Sequence, residues 1–216
     1  FALPFGDFDV NITVPADHIL EATGDLLNRS EVFTAEQLKR YQLAEKTFDK
    51  PVIVVTQAEA EAAEKGFSDK KKTWKFKATN VRDFGISTSR KFIYDAMAVK
   101  LETRNSMAIS LYPKEGNPLW EQYSTRMVAH TLKSYSAHTF DYPYPKAISI
   151  NAEDQGMEYP MICWNYGRPD KNGVTSERTK NGMMSVIVHE VGHNYFPMIV
   201  NSDERQWTWM DEGLNS

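Results

Sequence analysis

The sequence predicts an α+β protein, with an antiparallel β part first and a helix-bearing part after it. Three observations predict this. Apolar and polar residues alternate over residues 8–14 and 74–78, the period of two of a half-buried strand. From Leu119 the apolar period lengthens, and Tyr123, Met127, Val128, Leu132 and Tyr135 share one helical face. Near the end, His189-Glu190-Val191-Gly192-His193 sets two histidines four apart behind the apolar run Met183-Met184-Ser185-Val186-Ile187-Val188. On a helix those histidines lie on one face, about one turn apart.

Taken in order, residues 1–30 read as strands and turns. Phe8, Val10, Ile12 and Val14 point one way, Pro15 closes the strand, and Ala22-Thr23-Gly24-Asp25 is a turn. Residues 34–48 are helical by composition, with Thr34 and Gln37 as a capping box. Pro51-Val52-Ile53-Val54-Val55 is a short apolar strand. The Ala- and Glu-rich residues 57–65 form a short helix or an exposed insertion, stopped by Gly66. Lys70-Lys71-Lys72 reads as a solvated turn. Strands follow over 74–78 and 92–94, then a hairpin over 97–112 about a charged turn. Composition shifts at Pro113-Lys114-Glu115-Gly116-Asn117-Pro118, which places a domain boundary between residues 1–113 and 114–216.

Beyond that loop, residues 119–139 form a helix ended by Tyr142-Pro143-Tyr144-Pro145. Strands are expected over 147–150 and 161–164, joined by the polar connector 153–160. Residues 165–181, rich in Gly, Asn, Lys and Arg, read as an exposed excursion. The histidine helix is expected from about Asn181 to about Phe196, where Pro197 removes a donor. Asn201 or Ser202 can cap a following helix, with Asp203 and Glu204 in its first turn.

Composition excludes some classes. With 216 residues, 41% of them hydrophobic, the chain can build one large or two modest cores. A net charge of −4 and no basic patch argue against a nucleic-acid partner. No apolar run reaches transmembrane length. No signal segment is visible; the chain opens on Phe1, so the compartment is open and an extracytoplasmic one is compatible. Cys163 is the only cysteine, which excludes an intrachain disulfide. Asn11-Ile12-Thr13 and Asn28-Arg29-Ser30 fit the glycosylation triplet, a pattern common by chance.

The chemistry concentrates in the last thirty or so residues. Two imidazoles four apart can share one metal ion, and Glu190 on their flank faces the position of an activated water. A catalytic zinc also needs a third protein ligand and an open position. Glu212, in Trp209-Met210-Asp211-Glu212-Gly213, follows His193 after eighteen residues, room for a helix, a turn and a second helix folding back. His130 and His138 read as ordinary surface or core histidines.

His189-Glu190-x-x-His193 with Glu212 in W-x-x-E-G resembles the M1 family of zinc metallopeptidases, the gluzincin aminopeptidases. His193-Asn194-Tyr195-Phe196-Pro197 resembles their aromatic continuation, and residues 74–87 resemble the strand that ends their N-terminal β domain. The resemblance implies that residues 1–113 end that β domain and that residues 114–216 begin a thermolysin-like catalytic domain. It implies one Zn2+ per chain on His189, His193 and Glu212, with Glu190 as general base. Gln155-Gly156-Met157-Glu158-Tyr159, a bare polar loop when taken alone, resembles the family's G-x-M-E-N exopeptidase motif. There the glutamate, on an edge strand, binds the substrate's free α-amine. Glu158 takes that role here, with Gln155, Gly156 and Met157 around it. Gln155 and Tyr159 depart from the pattern.

The function these residues imply is a zinc aminopeptidase with a peptide substrate. Two rivals stand beside it: a zinc endopeptidase on the same core with Glu158 structural, and a metal-stabilised binding module without turnover. The intact Glu190 speaks against the last, since metal retention alone needs no base. In the family, a tyrosine that stabilises the oxyanion and a helical domain closing the site lie past the position of Ser216. A piece ending there is therefore expected to be impaired. Oligomeric state is left open.

Overall fold

The computed structural model describes residues 3–153 and 156–216. The first strand, β1 (Gly6–Pro15), follows the sequence alternation and pairs antiparallel with β5 (Lys71–Val81), Val10 opposite Phe76 and Ile12 opposite Trp74. On β5, Trp74, Phe76 and Ala78 are buried while Lys75 and Lys77 face out, the two-residue period of a pleated strand. β3 (Asp25–Leu26) lies on the other side of β5. The turn before β3 needs a glycine: Gly24 has φ +86°, and a β-carbon there would run into the Lys77 carbonyl. β2 (Ile19–Ala22) and β6 (Ile86–Ser89) form a separate antiparallel pair.

α1 (Arg29–Val32) and α2 (Ala35–Ala44) follow β3. α2 opens on the expected capping box: Gln37 N–H donates to Thr34 Oγ1 at 3.2 Å, and Thr34 N–H donates to the Gln37 side chain at 3.0 Å. β4 (Val52–Val55) precedes α3 (Gln57–Glu64), which opens on a second box made by Thr56 and Glu59. That cap makes the Ala- and Glu-rich stretch a helix.

The largest sheet has six strands in the order β10 (Met157–Tyr159), β11 (Ile162–Asn165), β9 (Lys146–Asn151), β8 (Asn105–Tyr112), β7 (Ile93–Lys100) and β4. β7 and β8 are the expected hairpin. β8, β9 and β11 run parallel, and the edge strand β10 runs antiparallel to β11. α4 (Leu119–His138) links β8 to β9 and packs beside α5 (Glu177–Gly192) on one face. Met97, Val99, Ala147 and Cys163 meet Val128, Leu132, Ile187 and Val191 there. Tyr94, Ala96, Ile109 and Ile148 point to the opposite face and pack on Phe33, Tyr41, Trp74 and Phe76. Covered on both faces, β7 is buried from Ile93 to Val99, as central strands of layered sheets are. A buried ion pair pins the layers: Lys146 Nζ lies 2.5 Å from Glu21 Oε2, and Tyr94 OH donates to Glu21 Oε1 at 2.8 Å.

Several expectations need correction. The loop at residues 113–118 connects β8 to α4, so it falls inside a β–α–β unit, and the six-stranded sheet takes strands from both sides of it. α5 starts at Glu177 instead of Asn181, because Ser176 caps it by accepting from Thr179 N–H at 3.0 Å. It ends at Gly192, and residues 193–199 continue as tight turns. The helix expected from Asn201 or Ser202 does not form there. Arg82 Nη1 donates to Asn201 Oδ1 at 3.0 Å and its Nη2 lies 2.8 Å from Glu204 Oε2, so Asn201 is drawn away from capping and Glu204 from a first turn, while the buried Ser202 hydroxyl caps nothing among the described residues. Helical backbone resumes only at Thr208. In the lysine run, Lys71 and Lys72 belong to β5, paired with Pro15 and Val14. Asn28 is buried, its amide donating to Glu31 and to the Thr73 carbonyl, which leaves it closed to glycosylation in the fold.

Candidate metal centre

α5 presents its ligands because its buried side is narrow. Met183, Ile187 and Val191, at i, i+4 and i+8, face the sheet. His189 and His193 sit beside that stripe with their Nε2 atoms 3.1 Å apart and their rings edge to face at 82°. A single π-helical turn, Trp209–Gly213, brings Glu212 back. Its Oε2 lies 3.0 Å from His189 Nε2 and 3.6 Å from His193 Nε2. Four ligands at about 2.0–2.1 Å from a tetrahedral zinc stand roughly 3.3 Å from one another. The three observed separations bracket that value. A simple His–Glu ion pair would account for one of them, not all three, so the donor set fits a zinc ion.

The frame around these ligands is tight. The His193 ring is buried, and its Nδ1 lies 2.9 Å from the Phe196 carbonyl oxygen and 3.0 Å from Asp211 Oδ1. The carbonyl takes the aligned hydrogen bond, and the buried Asp211 carboxylate lies beside the same ring nitrogen. Burial alone would push the His193 imidazolium down, but Asp211, the Phe196 carbonyl and Glu158 together raise it to about 9. Both contacts leave Nε2 facing His189 Nε2 and Glu212 Oε2, the orientation that such a partner would give a ligating histidine.

Asn215 locks the Glu212 turn to α5. Its Nδ2 donates to the His189 carbonyl at 2.5 Å, and its Oδ1 accepts from Tyr135 OH of α4 at 2.8 Å. Gly192 leaves room for this lock. A β-carbon there would run into Asn215 Oδ1 and sit 2.6 Å from the Tyr135 hydroxyl.

Two carboxylates stand next to the ligands. Ligand atoms of Glu158, Glu190 and His193 all lie within 4.8 Å of one another. Glu190 is buried, and its Oε2 has no hydrogen-bond partner among the described residues. Burial, reinforced by the nearby Glu158 charge, pushes Glu190 up to about 7. Burial also raises Glu158. Glu158 sits on the edge strand β10, opposite Cys163 of β11, and Met157 beside it is exposed. Gly156 passes so close to Glu190 that a β-carbon would run into its carboxylate. Gln155 lies outside the described residues. Of the other histidines in the helical half, His130 and His138 are exposed on α4.

Sequence reasoning missed Asp211, Asn215, Tyr135 and Gly192. Asp211 stood next to a proposed ligand and Gly192 inside the histidine motif, so both had a local signal. Tyr135 had none, since it lies 80 residues from Asn215.

No protein-family profile matches the chain, and no curated protein does. Solved structures do. An M1 zinc metallopeptidase from Deinococcus radiodurans superposes with a TM-score of 0.61 at 16% identity, over 98% of this chain and 39% of that one. A mutant M1 zinc metallopeptidase from the same organism, bound to a Tyr-Ser-Ala substrate, gives 0.57 at 18% identity over the same shares. A two-domain M1 zinc metallopeptidase mutant bound to L-arginine gives 0.61 at 17% identity, again over 98% and 39%. The chain thus spans about two fifths of the length of the structures it matches, and it has an M1-like α+β fold.

Proposed function

We propose that this chain carries the zinc and amine-binding centre of an aminopeptidase, which removes N-terminal residues from peptides. The observation that carries this reading is the convergence of three donor atoms 3.0–3.6 Å apart, from His189, His193 and Glu212, beside two buried or half-buried carboxylates. His189, His193 and Glu212 would hold one zinc ion. Bound there, zinc supplies Lewis-acid polarisation of the scissile carbonyl and lowers the pKa of the attacking water.

The chain's own groups do the rest. Glu190 accepts a proton from the attacking water and later gives it to the leaving amine. Its free Oε2 and a pKa near neutrality suit both halves of that exchange. Glu158 receives the substrate's α-ammonium, and that cation offsets the repulsion between Glu158 and Glu190. A site that needs an ammonium one residue before the reacting carbonyl removes residues singly. The edge of β10 away from β11, unpaired among the described residues, offers backbone groups along which an extended peptide can lie. The solved neighbour with a Tyr-Ser-Ala substrate supports a peptide as ligand for this fold. No described helix is long and apolar enough to cross a membrane.

The test is metal analysis of the intact protein together with hydrolysis of an aminoacyl anilide and its N-acetylated counterpart. One zinc per chain, with cleavage of the free-amine substrate only, is expected. Equal cleavage of both would make the protein an endopeptidase. Zinc kept in a His189→Ala, His193→Ala double variant, or full zinc with no turnover, would leave a binding module.

A further inference from the structure

We infer that the cleft beside the N-terminal half of α5 binds a carboxylate carried by the residue just after the cleaved bond. This rests on the aminopeptidase reading above. The cleft encloses about 450 Å³ between α5 and the loop after β11. Tyr166, Met183 and Val186 give it an apolar wall, Gly156 forms its inner end, and Arg168 and Arg178 supply its charge.

Position comes first. β10 is antiparallel to β11, with Tyr159 opposite Ile162 and Met157 opposite Trp164. Moving back along β10 from Glu158 to Gly156 therefore leads toward the end of β11 and into this cleft. α5 passes the same points, since Val186 lies one turn before Glu190 on the same face. Gly156 lies against the Glu190 carboxylate. The order along the channel between β10 and α5 is Glu158, Glu190, then the cleft. A peptide with its amine at Glu158 and its reacting carbonyl beside Glu190 sends its next residue past Gly156 into the cleft. A side chain at 156 would displace the Glu190 carboxylate.

Charge comes second. Arg168 Nε donates to Asn151 Oδ1 at 2.8 Å, which fixes its stem at the end of β9. Arg178 is exposed in the first turn of α5. Among the described residues neither guanidinium has an ion-pair partner. The acidic residues close in sequence are engaged elsewhere. Glu177 pairs with Lys180 at 2.7 Å, and Asp170 Oδ1 accepts from the backbone N–H groups of Asn172 and Val174. Two unpaired guanidiniums over an apolar wall suit a planar carboxylate, which arginine holds by parallel hydrogen bonds. The carboxylate can come from an Asp or Glu side chain or from the C-terminus of a dipeptide.

The experiment uses the intact zinc-loaded protein and peptides X-Glu-amide, X-Gln-amide, X-Lys-amide and the free dipeptide X-Ala, with X fixed as the first residue best cleaved from an anilide. We expect kcat/KM for X-Glu-amide to exceed that for X-Gln-amide roughly three- to tenfold, and X-Lys-amide to be poorest. The preference should shrink with added salt. Arg178→Glu should reverse the order of the Glu and Lys peptides. Because Arg178 is exposed, this change tests charge without disturbing the fold. A strong preference for X-Ala over X-Ala-amide would assign the cleft to the terminal carboxylate, and one for X-Glu-amide to the side chain. Equal rates across the series, or a Glu preference untouched by Arg178→Glu, would overturn the inference. If no peptide is cleaved, the aminopeptidase reading fails by itself. The same order of affinities, or its absence, is then read by calorimetry on the zinc-loaded Glu190→Gln protein.

Discussion

Two carboxylates lie buried on the helix-covered side of the six-stranded sheet, and burial pushes both to about 7. Their surroundings differ. Asp95 of β7 has both oxygens engaged: Tyr112 OH donates to Oδ2 at 2.7 Å, and the Thr125 hydroxyl of α4 donates to Oδ1. A chain of polar groups continues from there, with Ser110 to Ser124 at 2.8 Å, Ser124 to Ser149 at 3.2 Å, and Asn165 Nδ2 to Ser149 at 2.8 Å. Glu190 keeps one buried oxygen without a donor and faces two histidines and another carboxylate. A similar upward shift therefore accompanies a carboxylate with both oxygens engaged in one place and an open, charged convergence in the other. A raised pKa by itself does not mark a reactive group. Unused hydrogen-bonding capacity aimed at other ligating groups does.

The sharpest way to break this comparison is to neutralise each carboxylate in turn. Glu190→Gln should lower kcat by about 10²–10⁴ and keep its zinc. Asp95→Asn should leave kcat close to that of the parent protein. Peptidase kinetics with metal analysis decide it: an Asp95→Asn loss as large as that of Glu190→Gln would show that the two sites are not separate.

Stability against pH sharpens the structural side. The folded-state pKa of Asp95, about 7, lies above the ordinary aspartate value of about 3.9. The folded protein thus holds this proton more tightly than the unfolded chain. Any advantage is complete below about pH 4, declines as pH rises, and is gone above about pH 7. The difference is on the order of 4 kcal/mol. Denaturant melts across that window, in a Glu158→Gln, Glu190→Gln background that removes the other raised carboxylates, should flatten when Asp95→Asn is added. An unchanged slope would remove Asp95 as its source.

Smaller changes test the frame that lets the open site keep its unpaired groups. Gly192→Ala forces a β-carbon into the Asn215–Tyr135 lock and should cost about 1–3 kcal/mol, with weakened zinc stabilisation seen as a smaller zinc-induced rise in Tm. Gly182→Ala, on the same helix with no heavy atom within 4 Å of the added carbon, should instead stabilise by about 0.5–1 kcal/mol. The same sign for both would mean that the lock is not what requires glycine at 192.

Much of this was legible in sequence because it depends on neighbours within a turn or a pleat. The β1 and β5 alternation, the Thr34–Gln37 box, the β7–β8 hairpin and the spacing of His189 and His193 are all patterns of two to four residues. The Ser176 cap was equally local, although the polar run before α5 masked it. Tertiary structure decided the rest. Arg82, more than 100 residues away, takes the Asn201 and Glu204 side chains and delays the last helical turn. Tyr135 and Asn215 meet because α4 and α5 pack side by side. Glu158 reaches Glu190 only because β10 occupies the edge of a sheet whose order does not follow the chain. A side chain's intrinsic preference acts over a few residues. Its final partner is whichever donor or charge the packed layers bring within about 3 Å, and burial then sets how strongly the two interact.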